Sequence, residues 1–193
     1  MSGKREALIN AAKDLLWERG YEAMSPKAVL RASGAGQGSL YHHFEGKRDL
    51  AATALQEVEA QMHENYAKHL APGLSALKRL EAFLDMPREA LKGCRFGRLA
   101  NEQAITDPVL NPIVQRFFTY LEGRLASAVR EAQKAGQLPV DLKPKDTAVM
   151  LVTIVQGGYI LSRIHQDTAP FKQAIRGAKA TLRALSAASP NSS

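Results

Sequence analysis

The sequence predicts an all-α fold of about nine helices: an N-terminal three-helix head built around a helix-turn-helix, followed by a larger C-terminal helical bundle. Apolar residues recur at helical spacing along nearly the whole chain, and clear alternation with a period of two is absent. The gaps between apolar stripes hold residues that start and stop helices, such as Ser25-Pro26 and Gly34. A chain of 193 residues, 45% hydrophobic and 23% charged, can bury a sizeable core. That composition excludes a disordered, collagen-like or disulfide-built chain.

Each element has its own signal. Leu8, Ala11, Ala12, Leu15 and Leu16 form one face of a first helix over 7–19, which Gly20 stops. Ser25 can cap free amides and Pro26 fits a first helical position, which opens a second helix running to Ser33 before Gly34. A third short helix covers 37–43, and Lys47 opens a fourth over about 47–69 along Leu50, Ala54, Leu55, Val58 and Met62. Pro72-Gly73 breaks the chain before a helix through Leu74, Leu77, Leu80, Phe83 and Leu84. A short helix is expected over about 99–105, and a long one through Leu110, Val114, Phe117, Leu121, Leu125 and Val129 to Gly136. The apolar run 148–164 is rich in β-branched residues but too long for a typical strand, and reads as a buried core helix. It carries Thr153, Gln156, Ser162 and Arg163, too polar for a comfortable bilayer span, so no membrane partner is expected. The last helix places Phe171, Ala174, Ile175, Ala178, Leu182 and Leu185 on one face. The expected division is a head over 1–50, a body over 51–187 and a flexible tail over 188–193.

Charge and cysteine usage narrow the setting. A formal net charge of +7 favours an anionic partner. The charge does not concentrate in the first 50 residues, which hold eight basic and six acidic side chains, but it does over 24–48, where Lys27, Arg31, Lys47 and Arg48 face Glu45 alone. The single Cys94 has no partner for an intramolecular disulfide, and charges interrupt the N-terminus where a secretory signal would be apolar. A cytoplasmic protein is expected.

Two short helices joined by a glycine-containing turn of about three residues have the spacing of a DNA-binding helix-turn-helix, whose second helix enters the major groove. Gln37 can pair with an adenine edge and Ser39 with a base or a phosphate, while Lys27 and Arg31 extend from the preceding helix. Tyr41, His42, His43 and Lys47 fall where phosphate contacts are made. Other chemistries fit less well. Adjacent helical histidines point about 100° apart, and no third ligand is near His42 and His43, so no metal is expected. Gly34-x-Gly36-x-Gly38 follows no strand, and Gly46-Lys47-Arg48 lacks the spacing of a nucleotide-binding loop. Ser39, Ser75 and Cys94 have no recognisable His/Asp partners and no cofactor fingerprint is present, so neither an enzyme nor a bound cofactor is expected.

Residues 5–50 resemble the DNA-binding head of the TetR family of bacterial transcriptional regulators. The resemblance lies in Glu18-Arg19-Gly20-Tyr21, Ser25, Ala32-x-Gly34-Ala35, Gly38-Ser39-Leu40-Tyr41-His42-His43-Phe44 and Lys47-x-x-Leu50. It implies that Leu40 and Phe44 anchor the reading helix in the core and that Tyr41 and His43 touch phosphates. By the same likeness Lys47 caps the next helix toward DNA, and Gln37, Ser39 and His42, beside Gly38, face the bases. Gly36 and Gly38 depart from relatives with larger residues there, which implies a sparse reading surface and specificity partly through DNA shape.

The body carries the remaining expectations. A small head reads only a half-site, so a homodimer on double-stranded operator DNA is expected. The resemblance implies a four-helix dimer interface from the last two helices of each chain, with Gly157, Gly158, Ile175 and Leu182 as candidates. Glycines in mid-helix cost about 1 kcal/mol each relative to alanine unless close packing offsets it. The segment Gly93-Cys94-x-x-Gly97-x-Leu99-Ala100-x-Glu102 is similar to a subgroup whose members respond to aromatic or electrophilic molecules. An unidentified small-molecule effector is therefore expected, with Cys94, Phe96, Asn101, Phe117, Tyr120, Leu121, Gln156 and Tyr159 as candidate site residues, although each equally fits a core or surface position. The expected function is a repressor released from a palindromic operator by that effector. Two alternatives stay open: a thiol-based sensor, with Arg95 and Arg98 favouring the Cys94 thiolate, and a dimeric DNA-binding protein with no effector.

Overall fold

The computed structural model describes residues 2–70 and 73–188, and among these no strand is present. Eight α-helices occur in order: α1 (Ser2–Ala23), α2 (Pro26–Ser33), α3 (Gln37–His43), α4 (Lys47–His69), α5 (Ala76–Asp85), α6 (Asn111–Lys134), α7 (Pro144–His165) and α8 (Ala169–Ala187). The short helix expected over 99–105 is instead a pair of 3₁₀ turns, Gly97–Asn101 and Gln103–Thr106. Extended backbone at Glu102 (φ −117°, ψ 158°) separates them and stops an α-helical ladder from forming. Pro72 of the expected break at 72–73, and the tail beyond Ala188, lie outside the described residues.

Local signals explain most boundaries. Gly20, at φ 85° and ψ 175°, kinks α1 near its end in a conformation that only glycine adopts without strain. The Ser25 side chain accepts the Ala28 N–H at 3.1 Å, Pro26 opens α2, and left-handed Gly34 closes it with its N–H on the Leu30 carbonyl. Ser75 caps α5, which therefore starts after exposed Leu74 rather than at it. Proline also opens α7, four residues before the apolar run begins.

The chain divides into two compact units. The first unit runs to His63 and adds Cys94–Phe117; the second holds Glu64–Gly93 and the chain from Phe118 onward. In the first, Leu8, Ile9, Ala12 and Leu16 of α1 pack with Val29, Leu40, Phe44, Leu50 and Leu55 in a continuous apolar core. Phe96 and Phe117 are fully buried and stack with centroids 4.5 Å apart, and Arg116 pairs with Glu59 at 2.9 Å.

In the second unit α7 and α8 form the main packed pair. Gly158 lies against Phe171, where an added Cβ would sit 2.9 Å from the ring and 3.4 Å from the Phe171 Cα. Fully buried Ser162 accepts the Phe171 N–H at 3.0 Å. Lys179 and Arg183 of α8 reach Asp85 and Glu81 of α5 at 2.5 and 2.7 Å. By length and composition α7 alone among the described helices could cross a membrane. It is not buried all round: Leu151, Val152, Val155, Gly158, Tyr159 and Ser162 face inward, whereas Val149, Met150, Ile160, Leu161 and Ile164 are exposed in this single chain.

Candidate nucleic-acid interface

The α2–turn–α3 unit is held from beneath and open above. Leu40 and Phe44 are buried, which fixes the rotation of α3 about its axis. Gln37, Gly38, Tyr41 and His42 are thereby exposed, with Ser39 and His43 at the margins. Apart from chain neighbours and nearby helix backbone, nothing lies within 4 Å of where a Cβ would stand on Gly36 or Gly38, so packing against other parts of the chain does not require these glycines. A cleft of about 670 Å³ beside α3 is lined by Gly3, Lys4, Gly38, Ser39, His42 and His43. Arg5 stands over the Phe44 ring at 5.6 Å, and the His42 and His43 rings meet edge-on at 4.8 Å. Partial loss of solvent, together with His42 and Arg5, holds the His43 imidazole below its ordinary value. Lys4 and Arg5 were not singled out by sequence; the only signal was a basic pair in the first turn, whose place beside α3 depends on the folding of α1. Lys27 is exposed on α2.

Lys47 lies differently from the expectation of a phosphate contact. Its ammonium donates to the Glu22 carbonyl at 3.2 Å and stands 4.3 Å from the Tyr21 ring centroid. It closes the corner where α1 ends. The same corner receives Glu102 from the 3₁₀ pair: its carboxylate accepts the Glu22 N–H at 3.0 Å, and the Glu22 carboxylate accepts the Gln103 N–H at 3.4 Å. Burial and nearby Asp107 hold the Tyr21 phenol above its ordinary value, with Arg48 opposing.

The other predicted residues divide between the units. Cys94 and Asn101 are half-buried and exposed, and Phe96 and Phe117 form the stacked core pair of the first unit. In the second unit Tyr120 and Gln156 are half-buried, Leu121 is buried, and Tyr159 stacks on Phe171 at 5.0 Å. Arg95, expected beside the Cys94 thiol, places its guanidinium 4.0 Å over the Trp17 ring. Burial holds that guanidinium below its ordinary value, with Asp14 opposing. Of the four dimer candidates, Gly158, Ile175 and Leu182 are buried within the single chain. Gly157 has open space beside it. Sequence periodicity found the apolar faces of α7 and α8 but not which face each helix turns inward. Among the described residues no group of three or more His, Cys, Asp or Glu side chains is placed to hold a metal ion.

Comparison with known proteins decides the lineage. Residues 8–54 match the domain of bacterial regulatory proteins of the tetR family, and residues 73–178 match the tetracyclin repressor-like C-terminal domain. The chain belongs to the TetR family. This TetR-family chain is a DNA-binding transcriptional regulator. It is 24% identical to the HTH-type transcriptional repressor DhaR of Mycobacterium sp. strain GP1 over 88% of this chain and 87% of that protein. It is 31% identical to the HTH-type transcriptional repressor KstR2 of Rhodococcus jostii over 62% of this chain and 57% of that one. The fold matches that of a Rhodobacter sphaeroides regulatory protein TetR (TM-score 0.81, 24% identity, 91% and 96% of the two chains). It also matches reduced NemR of E. coli (TM-score 0.83, 20% identity, 97% and 99%).

Proposed function

We propose that this TetR-family regulator is a cytoplasmic homodimeric repressor, released from a palindromic operator when a small molecule binds its body. The observation that carries the DNA contact is the division of α3 into two faces, with Leu40 inside, Phe44 buried at its C-cap, and Gln37, Gly38, Tyr41 and His42 outside. Gln37, Ser39 and His42 would meet base edges beside Gly38, and Tyr41, His43 and Lys27 would meet phosphates. The open sides of Gly36 and Gly38 leave room for close approach of a DNA backbone. Lys47 is left out of this set because its ammonium is engaged with Glu22.

Dimerisation is supported by the exposed apolar side chains of α7, Val149, Met150, Ile160, Leu161 and Ile164, with Gly157 between them in sequence. Exposed apolar side chains gathered on one helix are typical of a covered surface. Effector binding rests on the match of 73–178 to the tetracyclin repressor-like domain, and the Gly93–Glu102 pattern favours an aromatic or electrophilic molecule. Within the second unit, half-buried Tyr120 and Gln156 are candidate polar groups for it and buried Leu121 and Tyr159 candidate apolar ones, whereas Phe96 and Phe117 belong to the core of the first unit. The thiol reading loses support because Arg95 faces Trp17.

The test is to select DNA fragments from a genomic pool with the purified protein and measure mass in solution with and without the enriched duplex. A recurrent palindrome bound by a dimer is the expected result; a monomer with no sequence enrichment would refute the proposal.

A further inference from the structure

We infer that Glu102 is a positioning residue for DNA binding: its carboxylate sets the corner at which α1 turns into the helix-turn-helix. The inference rests on the DNA-binding reading of α3. Gly20 stands at φ 85°, and a Cβ there would fall 1.8 Å from the Glu102 Oε1, so the backbone comes close under the carboxylate. Glu102 Oε2 accepts the Glu22 N–H at 3.0 Å. In return the Glu22 carboxylate accepts the Gln103 N–H at 3.4 Å. Lys47 holds the Glu22 carbonyl from the start of α4, a further tie at the same corner.

The leverage of this corner lies in how little chain separates it from α2. Met24 is fully buried and Ser25 caps α2, so only residues 20–23 remain to set the direction in which α2 and α3 leave α1. A glycine corner has no side chain of its own to hold that direction. The holding group comes from 80 residues away, on a segment with i→i+3 bonding: Glu102 N–H to the Leu99 carbonyl at 3.1 Å and Ile105 N–H to the Glu102 carbonyl at 3.0 Å. The hydrogen bonds of 3₁₀ turns have poorer geometry than those of an α-helix, so such a segment is more easily redrawn. Arg95 over Trp17 attaches the start of the same segment to α1. A shift of the segment therefore acts on α1 at two points, and Glu102 is the one that touches the corner.

The experiment compares the full-length wild type with Glu102→Ala and Glu102→Gln on two probes, a duplex enriched by the wild type from a genomic pool and a random duplex of equal length. For Glu102→Ala the expected result is about tenfold weaker binding to the enriched duplex, with binding to the random duplex within about twofold, since phosphate contacts remain. Glu102→Gln keeps an oxygen that accepts the Glu22 N–H and is expected to recover most of the loss. A merely structural role would lower both probes together, and that result would overturn the inference, as would an Ala variant equal to wild type or a Gln variant as weak as Ala. Hydrogen exchange of the Glu22 amide in the wild type checks the clamp without any variant: protection is expected, and rapid exchange would overturn it. Failure of the wild type to enrich any duplex would overturn the reading of α3 itself, an outcome seen before any variant is made.

Discussion

Replacing Lys47 by alanine separates two roles that one ammonium can fill. In the structure it donates to the Glu22 carbonyl at 3.2 Å and stands over Tyr21 at 4.3 Å. A hydrogen bond from a charged group contributes about 1.5–3 kcal/mol, and a partly exposed cation–π contact about 0.5–1 kcal/mol. The two share one ammonium and do not add in full, and Lys47 is only half-buried, so a loss of about 1–2 kcal/mol is expected. For a chain of this size that lowers Tm by about 2–8 °C. A phosphate contact would leave a different trace, because each phosphate neutralised adds about 0.9 to the slope of log affinity against log salt. Lys47→Ala is therefore expected to lower the melting temperature followed by circular dichroism while leaving the salt slope on a random duplex unchanged. A slope reduced by about one with an unaltered Tm would refute the corner role and return Lys47 to the phosphate backbone.

Other outcomes test other parts of the molecule. Ser162→Ala removes the acceptor for the buried Phe171 N–H and is expected to cost about 1–3 kcal/mol in urea unfolding; an unchanged midpoint would show that water replaces the hydroxyl. The neighbouring glycines should part company: Gly158→Ala drives a methyl into Phe171 and destabilises by about 1–3 kcal/mol, whereas Gly157→Ala has open space, should gain up to about 1 kcal/mol in helix propensity, and should alter subunit dissociation, read by analytical ultracentrifugation. His43, held below its ordinary value when free, gains a proton when a phosphate approaches, so DNA affinity should rise as pH falls from about 7.5 to about 5.5. His43→Gln should flatten that rise, and an unchanged pH profile would remove His43 from the phosphate contacts.

How far the fold could be read from sequence depended on the distance over which each feature was decided. Ser25, Pro26 and Gly34 act within a few residues, and the boundaries they predict for α2 are those found. The two faces of α3 derive from buried Leu40 within the helix and from Phe44, which caps its end in extended backbone and is buried too. Lys47 and Glu102 behaved otherwise, because their partners are 25 and 80 residues away and only the folded corner brings them together. The 3₁₀ pair escaped detection for the same reason: its apolar spacing is helical, but the extended backbone at Glu102 comes with a contact to α1. Gly157 and Gly158 read alike in sequence, yet they point about 100° apart on a helix. One meets Phe171 and the other open space.

The start of α8 shows how two neighbouring helices can be tied into a single melting event. Of its early amides, Ala169 is served by the Asp167 side chain, Pro170 has none, Lys172 returns to the Thr168 carbonyl, and Phe171 depends on a hydroxyl belonging to α7. The first turn of α8 is thus completed only once the preceding helix is in place. Exchange of the amides in both helices should track one shared opening, the signature of a foldon, rather than fraying that begins at Ala169.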